Sequence, residues 1–152
     1  MPLFIADLAV SSPDIENLGA IPLNFTADGG NDTPSIEISG APEGTVELAL
    51  IVNDPDAPLA QGFTHWVVYG IAPDATTLDL SAPGVRVAPN GAGQAAYFGP
   101  QPPVGHGVHH YFFFLYALGT PVEGDPSREE FLATYADSII EQARFVGTFR
   151  RD

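Results

Sequence analysis

Two separate segments concentrate the side chains of this chain that can do chemistry. One is Asp54-Pro55-Asp56-Ala57-Pro58, followed by Phe63-Thr64-His65-Trp66. The other runs Gly99-Pro100-Gln101-Pro102-Pro103-Val104-Gly105-His106-Gly107-Val108-His109-His110-Tyr111, and together they hold all four histidines. Carboxylates, imidazoles and a phenol set beside stiff backbone read as one preformed polar pocket. Each proline removes a backbone donor and restricts the residue before it to extended shapes, so Asp54 and Asp56 are aimed by a rigid loop. The same aspartates could instead cap the N–H groups of an ordinary turn. Ala57-Pro58 is a candidate for a cis bond, a device of tight turns.

The histidines divide by position. His65 opens an apolar run, where a lone histidine is more often a satisfied core residue than a ligand. Side chains alternate along a strand, so His109 and Tyr111 share a face while His110 points the other way. His106, between two glycines on the preceding loop, reads as solvent-exposed. A metal site is not expected. The spacing of His106 and His109 would suit a helix, which Gly105, Gly107 and the prolines forbid, and no His-Glu-x-x-His pattern occurs. No serine sits in a Gly-x-Ser-x-Gly turn and cysteine is absent, so no nucleophile stands out, nor does any cofactor motif.

An anion pocket fits these parts better. Glycine-rich loops gather backbone N–H groups, and imidazole and phenol donate hydrogen bonds to phosphate oxygens. A carboxylate can fix a histidine's tautomer or meet a ligand's ammonium. Such a pocket binds a phosphate monoester carrying an amine without acting on it. A hydrolase or lyase pairing Asp54 with His109 is the less favoured alternative.

These residues are positioned by short strands and turns. Ile36-Glu37-Ile38-Ser39 alternates apolar and polar; Val46 to Val52 is a compact apolar run that stops at Asn53-Asp54-Pro55. His65 to Ile71 is a third strand. Val108 to Leu118 is a fourth, whose apolar character on both faces predicts a central strand covered on each side. One late helix is expected. It has an acid cap at Asp125, Pro126 in its first turn, and Phe131, Leu132, Tyr135, Ile139, Ile140 and Ala143 on its apolar face; Gly147 ends it, and Thr148-Phe149-Arg150 adds a last strand. One mainly β domain over residues 1–152 follows, a β-sandwich of two sheets with a late helix.

Composition sets the outer bounds. The 152 residues carry 19 acids against 5 basic residues, a net charge of −14, and every basic residue is arginine. That field opposes nucleic acid and anionic membranes as partners. The acidic, lysine-free balance fits a salt-rich cytoplasm or a high-GC genome, and the excess of acids favours the first. The segment from Met1 to Asp7 lacks a basic region and a long apolar stretch, and no apolar run reaches the roughly 20 residues that span a bilayer. A cytoplasmic location is the expectation. The Pro/Gly loop and the aromatic strand could present a homodimer surface.

The two motifs, in this order, resemble the paired signature of the phosphatidylethanolamine-binding, or Raf-kinase-inhibitor-like, family. Ile21-Pro22, Phe25-Thr26, Asp28-Gly29, Thr33-Pro34, Pro42-Glu43-Gly44 and the closing Val146-Gly147-Thr148-Phe149-Arg150 are similar to its small bacterial and archaeal branch. The resemblance implies an antiparallel, Greek-key-like sandwich with a small anion cavity at one end. By motif position its residues are Asp54, His65, Gly99, Pro103, His109 and Tyr111, with Asp56 and Pro58 as loop supports and Phe63 as an aromatic wall. It implies a phosphate-type anion or phosphorylated head group as ligand, no cofactor, and in some members inhibition of a kinase or protease by binding it. Ala27 and Gln101 stand where many prokaryotic relatives carry cysteine, Ala136-Asp137-Ser138 replaces a Gly-His pair, and a C-terminal helix of the eukaryotic kind is not expected after Arg150. A proton gained by His65 or His109 below about pH 6.5 is expected to tighten sulfate binding.

Overall fold

The computed structural model describes residues 6–152. Residues 1–5, on which the expected cytoplasmic location partly rests, lie outside them. Two antiparallel sheets and one short helix build the molecule, as expected. The strands are β1 (Ala9–Ser11), β2 (Glu37–Ser39), β3 (Glu47–Asp54), β4 (Phe63–Ile71), β5 (Arg86–Ala88), β6 (His109–Leu118) and β7 (Ile139–Phe149), with the helix α1 (Arg128–Tyr135) before β7. β1 and β2 pair as a small sheet; the main sheet has the order β5-β4-β3-β6-β7. No helix among the described residues is long and apolar enough to cross a membrane.

The doubly covered central strand is β3, not the aromatic one. All eight of its residues are buried. Leu48, Leu50 and Val52 face the inner core with Trp66, Tyr111, Phe113 and the small sheet's Val10 and Ile38. Ala49 and Ile51 face an outer core closed by Phe131 of α1, Val122 and Tyr116. β6 lies one place outward, and its Phe112 and Phe114 remain partly exposed.

The late helix is shorter than its spacing predicts. Ser127 is its cap, in a reciprocal capping box with Glu130, and it ends at Tyr135. After one 3-10 turn (Ala136–Ser138) the chain becomes β7, paired with β6 from His109↔Phe149 to Leu118↔Ile139. The misleading spacing has a cause. Between Ala117↔Glu141 and Leu118↔Ile139, β7 carries one extra residue, Ile140. That bulge moves the apolar positions from one face to the other, so Ile139, Ile140 and Ala143 imitate a helical period. The ladder with β6, and the β-branched side chains, decide the outcome. No cis bond occurs among the described residues, so Ala57-Pro58 is trans.

Candidate functional site

β3 ends at Asp54, where Pro55 cannot continue the ladder, and the chain returns as β4 at Phe63. The turn closes through Gly62, at φ +69°, where a Cβ would sit 2.4 Å from the Asp54 carbonyl oxygen. Its backbone must be glycine. β4 then carries an extra residue: Asn53 pairs with Thr64 and Val52 with Trp66, which leaves His65 as a bulge. Strict alternation would turn His65 away from the face that holds Trp66. The bulge returns it to the inner side, beside Tyr111, ring centroids 5.1 Å apart. β6 delivers His109 and Tyr111 to that same side.

Asp54, His109 and His106 form a chain of hydrogen bonds. Asp54 Oδ2 accepts from His109 Nδ1 at 2.7 Å, and both side chains are buried. His109 Nε2 lies 2.6 Å from Nδ1 of the exposed His106, so both nitrogens of His109 are engaged by the protein. The second oxygen of Asp54 accepts the Asp56 N–H at 2.8 Å. Asp54 is thus both a turn cap and a histidine partner.

His65 has a different state. Its Nδ1 is 2.6 Å from the Phe98 carbonyl. A carbonyl only accepts, so that nitrogen carries the ring proton and Nε2 keeps a lone pair. Burial pushes the imidazole pKa down to about 4, against smaller upward pulls from the Phe98 carbonyl and Asp54. His65 is therefore neutral near pH 6.5 and cannot supply the positive charge expected of it. The Tyr111 hydroxyl is buried with no hydrogen-bond partner among the described residues, and burial pushes its pKa up.

These groups border a cavity of about 280 Å³. Ala57, Pro58, Leu59 and Phe63 form one wall; Phe98, Pro102 and Pro103 form another; Asp54, His65, His109 and Tyr111 bring the polar atoms. A larger cleft of about 520 Å³ between β1 and β7 holds Arg144 but no histidine or carboxylate, so the chemistry lies in the smaller one. Among the described residues no three histidine, aspartate or glutamate side chains are grouped to hold a metal ion.

Seven of the nine residues singled out from the sequence thus line one cavity: Asp54, Pro58, Phe63, His65, Pro103, His109 and Tyr111. Asp56 does not. Its Oδ2 accepts from the backbone N–H and Nδ1 of His110, at 2.8 and 2.7 Å, on the exposed side. Gly99 is a support behind the site. Its N–H donates to Asn31 Oδ1 at 2.6 Å, and a Cβ there would lie 2.3 Å from the Phe25 carbonyl oxygen. His106 is exposed, as read, but its bond to His109 was not foreseen. The Gly-His-Gly spacing that lets the loop fold back is the only trace of it in the sequence.

Known proteins share this arrangement of chain. A sequence profile described as "Phosphatidylethanolamine-binding protein" matches residues 11–150. A protein of Methanothermobacter thermautotrophicus named only "UPF0098 protein" is 39% identical over 142 residues, 88% of this chain and 92% of its own. The crystal structure of E. coli YbcL, titled a new member of the mammalian PEBP family, superposes with a TM-score of 0.89 at 30% identity, covering 97% of this chain and all of that one. A carboxypeptidase Y inhibitor, solved with its cognate proteinase, shares the fold alone, with a TM-score of 0.54 at 18% identity over 95% of this chain and 83% of its own.

Proposed function

The chain belongs to the phosphatidylethanolamine-binding protein family, and from that premise we propose that its cavity binds a small phosphate-type anion or phosphorylated head group. The observation that carries this reading is the Tyr111 hydroxyl, buried and unpartnered in a residue that lines the cavity. Protein interiors rarely leave such a donor unsatisfied, and a phosphate oxygen would satisfy it. Size agrees. A volume of about 280 Å³ has room for roughly nine waters at ~30 Å³ each, which suits a head group rather than a whole lipid. The apolar walls would meet the ligand's carbon chain.

An acid–base enzyme is less well supported, because neither nitrogen of His109 is open to a substrate and no hydroxyl other than that of Tyr111 lines the cavity. Inhibition of a kinase or protease by surface contact is the second reading. The inhibitor structure, alike in fold only, lends it no residue-level support.

An NMR amide titration with phosphoethanolamine tests the proposal. Saturable shifts are expected around residues 54–65 and 98–111. Tyr111→Phe removes no protein hydrogen bond, so it should fold normally and bind about tenfold more weakly, the value of one hydrogen bond to a charged group. Silence at millimolar ligand would overturn the reading and turn attention to a protein partner.

A further inference from the structure

We propose that the cavity selects ligands that bring their own proton: phosphate monoesters or free phosphate in the singly ionised form, rather than sulfate esters or phosphate diesters that carry no other donor. This rests on the anion-site reading above and adds a rule for which anions qualify.

The rule follows from counting the polar atoms left open. Both oxygens of Asp54 already accept hydrogen bonds, from His109 and from the Asp56 N–H. His109 is bound at both nitrogens. Pro58, Pro102 and Pro103 in the walls have no N–H to offer. Gln101 gives one N–H of its amide to Asp28 at 3.1 Å, which turns that side chain toward the rim. Two side-chain groups have no hydrogen-bond partner among the described residues: the buried Tyr111 hydroxyl, which can donate, and His65 Nε2, which can only accept while the ring is neutral. An ionised oxygen on the ligand answers Tyr111. His65 Nε2 needs a hydrogen, and only a ligand P–OH or another donor supplies it.

Charge points the same way. Facing His65 are Asp54 at the end of β3, and His109 and Tyr111 on β6; farther off stand His106 on the loop and the Asp56–His110 pair on the outer face. The fixed cation beside the mouth, Arg151, is spent on Asp28 at 2.9 Å and on the Pro102 carbonyl at 3.2 Å. A dianion would meet the buried carboxylate of Asp54, and no arginine lines the cavity among the described residues. The low pKa of His65 keeps its ring neutral through mildly acidic solution, where phosphate monoesters, with a second pKa near 6, carry one proton.

Methyl phosphate and methyl sulfate isolate the proton. At about pH 5.5 both are largely monoanions of nearly equal size, and only the phosphate holds a hydrogen. Isothermal titration with the intact protein should show methyl phosphate at least tenfold tighter than methyl sulfate, with the advantage lost by about pH 8 as the phosphate gives up its proton. Dimethyl phosphate, a diester with neither a P–OH nor another donor, should bind as weakly as methyl sulfate. His65→Phe should abolish the preference. Should that variant not fold, the imidazole ¹⁵N shift of wild-type His65 gives the same answer: Nε2 stays unprotonated and moves to a hydrogen-bonded value only with methyl phosphate. Equal affinity for the two esters, or dimethyl phosphate as tight as the monoester, overturns the inference and leaves the anion site standing. Binding of none of the three overturns both.

Discussion

His65 resists the proton that an ordinary imidazole accepts near pH 6.5, because burial strips the charged form of water while its one bonded nitrogen already holds a hydrogen. This has a cost in acid. The unfolded chain takes up that proton near 6.5 and the folded chain not until about 4, so the unfolded state binds more protons between these values. The stability in question is fully present above 6.5 and is lost as pH falls toward 4, by about 3 kcal/mol in all. Urea midpoints of wild type and His65→Phe, followed from pH 7 to about 4.5, should converge or cross as wild type alone loses this increment. Parallel curves would show that His65 ionises normally. From the sequence, this residue could be placed on a strand and assigned to the pocket through family likeness. Its neutrality could not be read there, since it depends on burial by chain segments far apart in sequence, and so does the tautomer that the Phe98 carbonyl selects.

At the scale of elements, the strand around Ile38 was legible by its alternation, and those around Leu50, Val68 and Leu115 as apolar runs bounded by turn residues. What failed was period. Ile140 is an extra residue in β7, and one such residue made an eleven-residue strand look like the end of a helix. The centre of the sheet is β3 rather than the aromatic β6, since aromatic richness says nothing of strand order; burial on both faces runs the whole length of β3 but only the second half of β6. The helix that does exist is two turns long and is held mainly by one side chain. Phe131 is fully buried among Tyr69, Tyr116 and Tyr135. Phe131→Ala should cost about 3–5 kcal/mol, whereas Ser127→Ala, which removes the cap, should cost about 1. Chemical denaturation of the two variants checks the ranking; a larger loss for Ser127→Ala would mean that the helix is held by its end rather than by its packing.

Over the whole molecule, charge is the dominant unbalanced quantity. Four arginines hold an acid within 4 Å: Arg86, Arg128, Arg150 and Arg151. The fifth, Arg144, lies over the Phe112 ring. With 19 acids in the chain, most have no cation beside them, and their mutual repulsion works against the compact state. Added salt screens it, so the melting temperature should rise as sodium chloride is raised toward about 1 M at neutral pH. A flat or falling curve would mean that the acids are spaced widely enough not to interact. The bulge at His65 has a consequence of another kind, which is hereditary. Its aim depends on a count of residues, not only on their identity. Substitutions can drift along β4 and leave the imidazole in place, but losing a single codon from the Thr64–Trp66 stretch would straighten the strand. Whatever residue then preceded Trp66 would stand on the outer face. Descendants of this gene can change the letters of that stretch far more freely than its length.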